Sequence, residues 1–316
     1  MKKNTVVFGG GNGSAITLQA LKINKEQYTI SAVIAMSDSG GSSGKLRKEF
    51  NTLPAGDIMR AVLSLSSHEY KGLLQKIFYK KRGKDVGKLS DHSLGNLFLI
   101  LAEQYAGNFM DGVRALEQAL DTTGVVYPAT LEPCDLVAEL TDGTLINSEV
   151  SIGEPTYDRS LVIKRIWLEP AVVADEDAIE SIKNAEYIIL GPGSLFTSVI
   201  ASILPKGIKQ AIHESKATLI YIAGNKYDTQ GETGPTNLSG CVFELEKYLP
   251  RKVDVVVFNG SVLTKEQQEH YALKGWGVLE YTPEKLSEYR VYDEEFESEW
   301  GGLCPGKLSK ILRTII

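Results

Sequence analysis

Residues 5–14 read TVVFGGGNGS, and this stretch decides the fold class of the chain. Strand-forming residues at 5–8 are followed at once by three glycines, and the apolar spacing beyond them predicts a helix over Ser14–Lys22. Glycines at such a turn let the backbone approach a bound group closely, and the helix start supplies unpaired N–H groups and a positive dipole. A buried strand that ends in a glycine loop and opens into a helix is typical of parallel α/β sheets.

The same alternation of strand and helix recurs along the chain. Continuous apolar runs are expected where helices cover both faces of a parallel sheet, and they predict strands at Thr5–Phe8, Ile30–Met36, Tyr187–Leu190, Thr218–Ala223 and Val253–Phe258. Apolar residues spaced three or four apart predict helices at Ile58–Leu65, Leu73–Tyr79, Leu94–Tyr105 and Met110–Leu120. We therefore expect an α/β fold built on a doubly wound, mostly parallel sheet.

Residues 125–167 break this pattern. Short stretches at 136–140, 146–152 and 161–167, with a Thr-Asp-Gly-Thr turn at 141–144 after the first of them, predict β-hairpin structure. We expect 125–167 to form a small antiparallel β-hairpin subdomain, inserted in an α/β core made of 1–124 and 168–316.

Two charged segments stand apart from the regular elements. The basic stretch YKKRGKDVGK at 79–88 is either a solvated loop or a lid over an anionic ligand. The acidic stretch DEEFESEW at 293–300 is expected to be a solvated surface turn.

Composition excludes several classes of protein. The 316 residues carry a net charge of −6, so the overall charge gives no support to a nucleic-acid groove or an anionic membrane surface. The three cysteines are far apart and the four histidines are scattered, which argues against a disulfide framework and a zinc site. The N-terminus lacks a signal-peptide core, and no apolar run approaches the ~20 residues that span a bilayer. We expect a soluble cytoplasmic protein.

Glycine-rich or polar loops follow five predicted strands at their carboxyl ends. Ligands of open α/β sheets bind at that edge, so we expect the loops to form one site, with two neighbouring glycine loops suited to a diphosphate. The alternatives are that these loops are merely tight turns, that Ser194 caps a helix, and that the asparagines stabilise turns. The predicted ligand-binding residues are Gly10, Gly11, Asn12, Gly13, Ser14, Ser39, Gly40, Gly41, Ser42, Ser43, Lys45, Asn96, Gly191, Gly193, Ser194, Asn225 and Asn259.

Asp38, Asp57 and His92 are the candidate catalytic residues. Asp38 ends the second predicted strand, where an NAD-binding enzyme places an acidic residue, but here it opens a second glycine-serine loop. Asp57 precedes an apolar helix and is either its N-cap or a contact to a ligand or metal. His92 is either a general acid–base or a hydrogen-bond donor to a phosphate. The alternative is that it belongs to a helix start that Ser93 or Asp91 caps.

Several longer motifs carry a family resemblance. The chain resembles the CofD/YvcK superfamily, and within it the YvcK-like branch of gluconeogenesis factors, in GGGNG at 9–13, SDSGGSSGKLR at 37–47, LPAGDI at 53–58, HSLGNL at 92–97, IWLEP at 166–170, GPGSLFTS at 191–198 and QGET at 230–233. Asn12 replaces a threonine of the family, and Ser39 replaces the second aspartate of its ADDGG stretch. Gly240-Cys241 stands where members often carry Asp-His. These departures weaken a catalytic interpretation more than a binding one.

The resemblance implies a Rossmann-like α/β core, often dimeric, with a phosphate-binding cleft. One implied role is a UDP-sugar-binding regulator of cell shape and central carbon use, with a UDP-sugar or another nucleotide diphosphate as ligand. The other is a transferase that moves a 2-phospholactyl group from a nucleotide-diphosphate-type donor to a deazaflavin with magnesium, in which Asp38 and Asp57 would either carry Mg²⁺ or orient the acceptor. A third hypothesis, an NAD-dependent oxidoreductase, rests on Gly9, Gly11 and Asp38 alone. We expect a homodimer with no nucleic-acid partner and no membrane span.

Overall fold

The computed structural model of the chain describes residues 1–68, 72, 76–78 and 92–316. The main sheet contains seven strands, β1 (Lys3–Gly9), β2 (Tyr28–Ile34), β3 (Gly124–Pro128), β7 (Tyr187–Leu190), β8 (Thr218–Ala223), β10 (Val255–Asn259) and β12 (Arg290–Glu294). A three-stranded antiparallel sheet contains β4 (Asp135–Leu140), β5 (Leu145–Asn147) and β6 (Ile163–Glu169). A two-stranded antiparallel ribbon contains β9 (Lys226–Asp228) and β11 (Trp276–Val278).

The described helices lie on both faces of the main sheet and at its edges. They are α1 (Gly11–Ile23), α2 (Gly41–Phe50), α3 (Gly56–Leu65), α4 (Leu94–Ala106), α5 (Phe109–Ala119), α6 (Glu149–Gly153), α7 (Glu176–Lys183), α8 (Ile208–Glu214), α9 (Leu238–Glu246), α10 (Lys265–Lys274) and α11 (Pro305–Ile315). A π-helical turn spans Leu195–Ile200, and 3-10 turns span Ala201–Ile203 and Pro283–Leu286.

The order of the strands creates a crevice beside β1. The main sheet runs β12-β10-β8-β7-β1-β2-β3, with every neighbouring pair parallel. The chain moves outward from β1 through β2 to β3, then returns to β7 on the other side of β1 and continues to β12. The connections therefore leave β1 and β7 in opposite directions, and this switch point opens a crevice outside their carboxyl ends.

Apolar packing on both sheet faces explains why the strands are continuous apolar runs. Val7 and Phe8 are neighbours in β1 and point to opposite faces, yet both are fully buried. Val7 packs with Leu18 of α1, whereas Phe8 packs with Phe196 of the π-helical turn. Helices on both faces of a parallel sheet confirm the doubly wound α/β prediction.

The predicted strands and helices that fall on described residues are confirmed, apart from the inserted segment and the helix expected after Ser194. Gly124–Pro128 pairs with β2 in the main sheet, so the antiparallel strands begin at Asp135 rather than at the predicted 125. The stretch predicted as strand at 146–152 is strand only as far as Asn147 and then becomes helix α6. The predicted helix at 73–79 lies largely outside the described residues, and the basic stretch 79–88 lies entirely outside them.

Candidate functional site

The switch point opens into a cavity of about 570 Å³, within the size range of small-molecule sites. Backbone and small side chains from two loops form one side of it, which we call the glycine wall: Gly10, Gly11, Asn12, Gly13, Gly193 and Ser194. Tyr227 and Trp276 form the aromatic wall. They lie on β9 and β11 of the antiparallel ribbon, and β9 comes directly after β8 in the chain. Six predicted ligand-binding residues therefore line a single cavity.

The two loops of the glycine wall are pressed together. A Cβ on Gly13 would lie 2.0 Å from the carbonyl oxygen of Pro192, so no side chain fits there. Thr17 of α1 donates from its hydroxyl to the carbonyl oxygen of Gly191 over 3.1 Å. Ser14 is buried and donates back to the Gly10 carbonyl oxygen over 3.1 Å. The glycine at 13 is thus required by loop packing, and it also keeps the backbone open to the cavity.

Asp57 holds the start of α1. Its Oδ2 accepts the N–H of Gly11 over 2.8 Å, and its Oδ1 pairs with Arg60. The predicted role of Asp57 as a helix N-cap is wrong, because α3 begins at Gly56 and its N-cap is Ala55. The N–H groups of Asn12 and Gly13 also belong to the first turn of α1, where the helix supplies no acceptors.

Asp38 organises the loop that follows β2. Its Oδ1 accepts the N–H of Gly40 over 2.9 Å. Burial, together with the nearby negative charge of Asp57, raises the pKa of Asp38. Glu149 of helix α6 lies close by, and burial followed by the charge of Asp38 raises its pKa to about 7. Sequence analysis missed Glu149 because it fell in a segment predicted as strand.

Ser42 joins the second glycine-serine loop to α4. Its Oγ lies 3.0 Å from His92 Nδ1 and accepts a hydrogen bond from Asn96 Nδ2 over 3.2 Å. Ser93 caps α4, accepting the Asn96 N–H, so the predicted capping role of Ser93 is confirmed. His92 is almost fully buried beside it.

The second glycine-serine loop stands next to the cavity rather than in its wall. Among the described residues that line the cavity, none belongs to 37–47. Within this loop Ser39 accepts the N–H of Val150 over 3.1 Å, so helix α6 of the antiparallel sheet packs on it. Gly41 begins α2, Ser43 is buried and Lys45 is exposed. The loop is coupled to the glycine wall through Asp57, which faces both Gly11 and Asp38.

The two predicted asparagines are buried and hydrogen-bonded to later segments of the chain. Asn259 is fully buried, donates to Glu297 Oε2 over 2.6 Å and accepts the N–H of Phe296 over 3.0 Å. The Tyr271 hydroxyl oxygen lies 2.7 Å from Asn225 Oδ1 and 2.9 Å from Glu297 Oε1. Neither asparagine is among the described residues that line the cavity. Asn225 Nδ2 is buried without a hydrogen-bond partner among the described residues, so the ligand contacts expected of the two asparagines stay a prediction.

The acidic segment at 293–300 is only partly the predicted solvated turn, because residues 293–295 and 299–300 are exposed whereas two residues between them are buried. Phe296 is fully buried and Glu297 is 2% exposed. Glu297 accepts hydrogen bonds from Asn259 and from the N–H of Gly302, a cavity-lining residue. The segment therefore contacts the cavity wall at Gly302 from the side away from the cavity.

Glu232 occupies the helix start that follows Ser194. Its carboxylate accepts the N–H groups of Phe196 over 3.1 Å and Thr197 over 3.0 Å, while the Ser194 side chain makes no capping hydrogen bond. The predicted helix there is a six-residue π-helical turn, and the predicted cap at Ser194 is wrong. Burial raises the pKa of Glu232. Its carboxylate occupies these two N–H groups, and Gly193 and Ser194 line the cavity beside them, so their contact with a ligand stays a prediction.

Cavity-lining charges were the second feature that sequence analysis missed. Arg159 and Lys226 supply positive charge, and Asp228 and Glu232 supply negative charge. Lys226 lies with its ammonium 2.9 Å from the centre of the Trp276 ring. Both Lys226 and Glu232 lie in the loop 224–233 that was expected to join the site, but neither side chain was singled out there.

Metal-ligating clusters and membrane-spanning helices are both absent from the described ranges. No three His, Cys, Asp or Glu side chains come together there in a way that could hold a metal ion. None of the helices in those ranges is long and apolar enough to cross a membrane.

Comparison with known proteins places the chain in a family. The profile of a family described as "2-phospho-L-lactate transferase CofD" matches residues 5–295. The chain belongs to the CofD family. The family and the α/β fold expected from the motifs are confirmed.

Relatives of this CofD-family chain carry a common name. A "Gluconeogenesis factor" of Halalkalibacterium halodurans is 39% identical over 233 residues, covering 73% of this chain and 69% of the relative. A "Gluconeogenesis factor" of Listeria innocua is 32% identical over 310 residues, covering 95% and 91%. A crystal structure of a UPF0052-family protein from Bacillus halodurans matches with a TM-score of 0.90 and 31% identity, covering 99% of both chains.

Two neighbouring carboxylates of this CofD-family chain, Asp38 and Asp57, have the negative charge that a divalent cation requires. Asp38 and Asp57 are partly buried and repel each other, which is one cause of the raised pKa of Asp38. Mg²⁺ commonly uses one or two carboxylates together with substrate phosphates. Asp38 and Asp57 are the residues that would hold it, although Arg60 already neutralises part of their charge. There the cation would supply charge neutralisation to a transferring phosphoryl group.

Proposed function

We propose that this protein is a cytoplasmic, nucleotide-sugar-binding regulatory protein of the gluconeogenesis-factor type, with a UDP-sugar as its ligand. The observation that carries the proposal is the cavity at the switch point, which brings a glycine wall and an aromatic wall together in about 570 Å³. The proposed roles in cell shape and central carbon metabolism, and the proposed homodimer, rest on the family resemblance.

The chemistry of the two walls supports a ligand with phosphates at one side and a ring system at the other. First-turn N–H groups of α1, at Asn12 and Gly13, suit phosphate oxygens because they have no acceptor within the helix and lie at the positive end of a helix of 13 residues. The rings of Tyr227 and Trp276 suit a planar base, since aromatic faces stack on bases of any sequence.

The engagement of the candidate catalytic groups supports binding rather than turnover. Asp57 is held by Gly11 and Arg60, and His92 contacts Ser42 outside the cavity wall. A general base must reach the proton that it removes, and neither side chain is among the described residues lining the cavity.

The second candidate function is transfer of a 2-phospholactyl group in the manner of the family's description. The observation that favours it is the Asp38–Asp57 pair, whose charge suits Mg²⁺ beside the glycine wall. Phosphoryl transfer depends mainly on positioning and charge neutralisation, so this function predicts ligand binding that requires the metal.

An NAD-dependent oxidoreductase is the least supported candidate. It needs the carboxylate of Asp38 on the ribose of the cofactor. Asp38 instead accepts the N–H of Gly40 within its own loop.

Isothermal titration calorimetry of the full chain with UDP-GlcNAc, GDP and NAD, each with and without Mg²⁺, separates the three functions. The proposal predicts saturable UDP-GlcNAc binding that does not require Mg²⁺. Binding of GDP alone, and only with Mg²⁺, would favour the transferase, and binding of NAD alone would favour the oxidoreductase.

A further inference from the structure

Lys226 is a partly buried cation on the cavity wall, and no carboxylate in the described part of the chain forms an ion pair with it. It follows β8 directly and lies at the start of the β9–β11 ribbon. Its ammonium lies 2.9 Å from the centre of the Trp276 ring. Within 1–68, 72, 76–78 and 92–316, no Asp or Glu forms an ion pair with it. The arrangement leaves a positive charge facing a ligand-sized space.

The charged groups around Lys226 come from three segments. Asp228 lies on the same strand, Lys274 ends α10, and Glu297 lies in the segment after β12; all three act on the ammonium at longer range. Glu297 is already bonded to Asn259. The surroundings therefore do not supply a dedicated counter-ion.

The position of the indole ring of Trp276 is fixed by its neighbours. Tyr271 packs edge-on against it with ring centres 5.3 Å apart, and His270 packs in the same manner at 5.6 Å. A ring face stabilises a desolvated ammonium, but less than a full counter-charge does. An anion entering the cavity would give the ammonium a stronger partner than the ring.

We propose that Lys226 is the counter-ion of the diphosphate group of the bound nucleotide, and that binding draws its ammonium from the face of Trp276 onto phosphate oxygens. This inference rests on the proposed function, because it assigns a residue to the same cavity. Release of the ring face would also allow Trp276 to contact the base.

Proton uptake is a measurable consequence of this contact. Burial lowers the pKa of Lys226 to about 8, so at pH 8 about half of the free protein carries a neutral amine. A phosphate anion favours the charged form and raises that pKa. Binding at pH 8 should then take up about half a proton, and binding at pH 6.5 should take up almost none.

The test is calorimetric titration of the full chain with UDP-GlcNAc at both pH values, in buffers of different ionisation enthalpy. Lys226→Met keeps the length of the side chain and removes its charge. It should weaken UDP-GlcNAc and UDP binding about ten- to a hundredfold and abolish proton uptake, since a hydrogen bond to a charged group is lost. Lys226→Arg stays charged at both pH values, so it should bind without proton uptake.

Uridine and an exposed lysine provide the controls. Uridine has no phosphate, so its affinity should be the same for wild type and Lys226→Met. Lys265→Met removes an exposed charge from the start of α10 and should leave both affinity and proton uptake unchanged. Urea unfolding of each variant establishes that the protein remains folded.

Each other outcome overturns the inference. Equal UDP-GlcNAc affinity of wild type and Lys226→Met would remove Lys226 from the ligand contacts while leaving the proposed function intact. Loss of uridine affinity in Lys226→Met would assign the lysine to the base instead of the diphosphate. Absence of UDP-GlcNAc binding to the wild type would overturn both the proposed function and this inference.

Discussion

Replacing Glu149 with glutamine tests how tightly helix α6 of the antiparallel sheet is packed against the loop after β2. Burial and the charge of Asp38 raise the pKa of Glu149 from 4.5 to about 7. An acid whose pKa is raised on folding favours the folded state below its unfolded pKa, and that contribution is lost as the pH rises through 7. At about 1.4 kcal/mol per pKa unit, ionisation costs the folded wild type about 3–4 kcal/mol at pH 8.

Glu149→Gln removes this cost, because an amide has the same shape and no charge. We expect the variant to be about 3–4 kcal/mol more stable than the wild type at pH 8 and about equal to it near pH 4.5. Urea unfolding followed by circular dichroism across this range, in a buffer with a chelator, measures the difference. Glu154→Gln, an exposed position that follows α6, should leave the pH profile unchanged. Parallel profiles for wild type and Glu149→Gln would refute the burial of Glu149 beside Asp38.

Three further substitutions probe packing and the glycine wall, each measured by urea unfolding. Gly13→Ala should destabilise by about 1–3 kcal/mol, because its Cβ would lie 2.0 Å from the Pro192 carbonyl oxygen. Asp57→Asn should cost about 1–3 kcal/mol, because the ion pair with Arg60 and a charge-assisted bond to Gly11 are lost. Phe296→Ala should cost about 3–5 kcal/mol, because the ring is fully buried.

Exposed neighbours are the matched controls for these substitutions. Asn12→Ala and Trp300→Ala change exposed side chains and should shift stability by less than about 0.5 kcal/mol. Wild-type stability in Gly13→Ala would contradict the close packing of the two loops. An unchanged urea midpoint in Phe296→Ala would contradict the burial of Phe296 within the acidic segment.

The main sheet could be predicted because most of its strands are buried on both faces and are therefore continuous apolar runs in the sequence. YIIL at Tyr187–Leu190 and TLIYIA at Thr218–Ala223 are apolar on both faces, and both are strands over the predicted residues. The edge strand β12 was missed, because Arg290–Glu294 is polar and half-exposed and lacks that signature. Helix α10 was missed for a related reason, since KEQQEHYALK buries little apart from Gln267 and Tyr271.

The glycine wall could be predicted because its glycines are clustered in the sequence directly after predicted strands. The charged groups of the site could not, because their partners are far apart along the chain. Glu232 bonds an N–H 36 residues earlier, and Val150, next to Glu149, contacts a serine 111 residues earlier. Such pairs exist only after the sheet has brought the loops together, and no local periodicity encodes them.

Titration of UDP-GlcNAc into wild type and Ser194→Trp tests the central claim most directly. Ser194 is exposed on the glycine wall and makes no capping hydrogen bond, so an indole there would fill the cavity without removing an interaction. Ser287→Trp adds the same ring at an exposed position that does not line the cavity. The account predicts binding by wild type and Ser287→Trp, and loss of binding by Ser194→Trp. Equal binding by all three proteins, or no binding by the wild type, would contradict it.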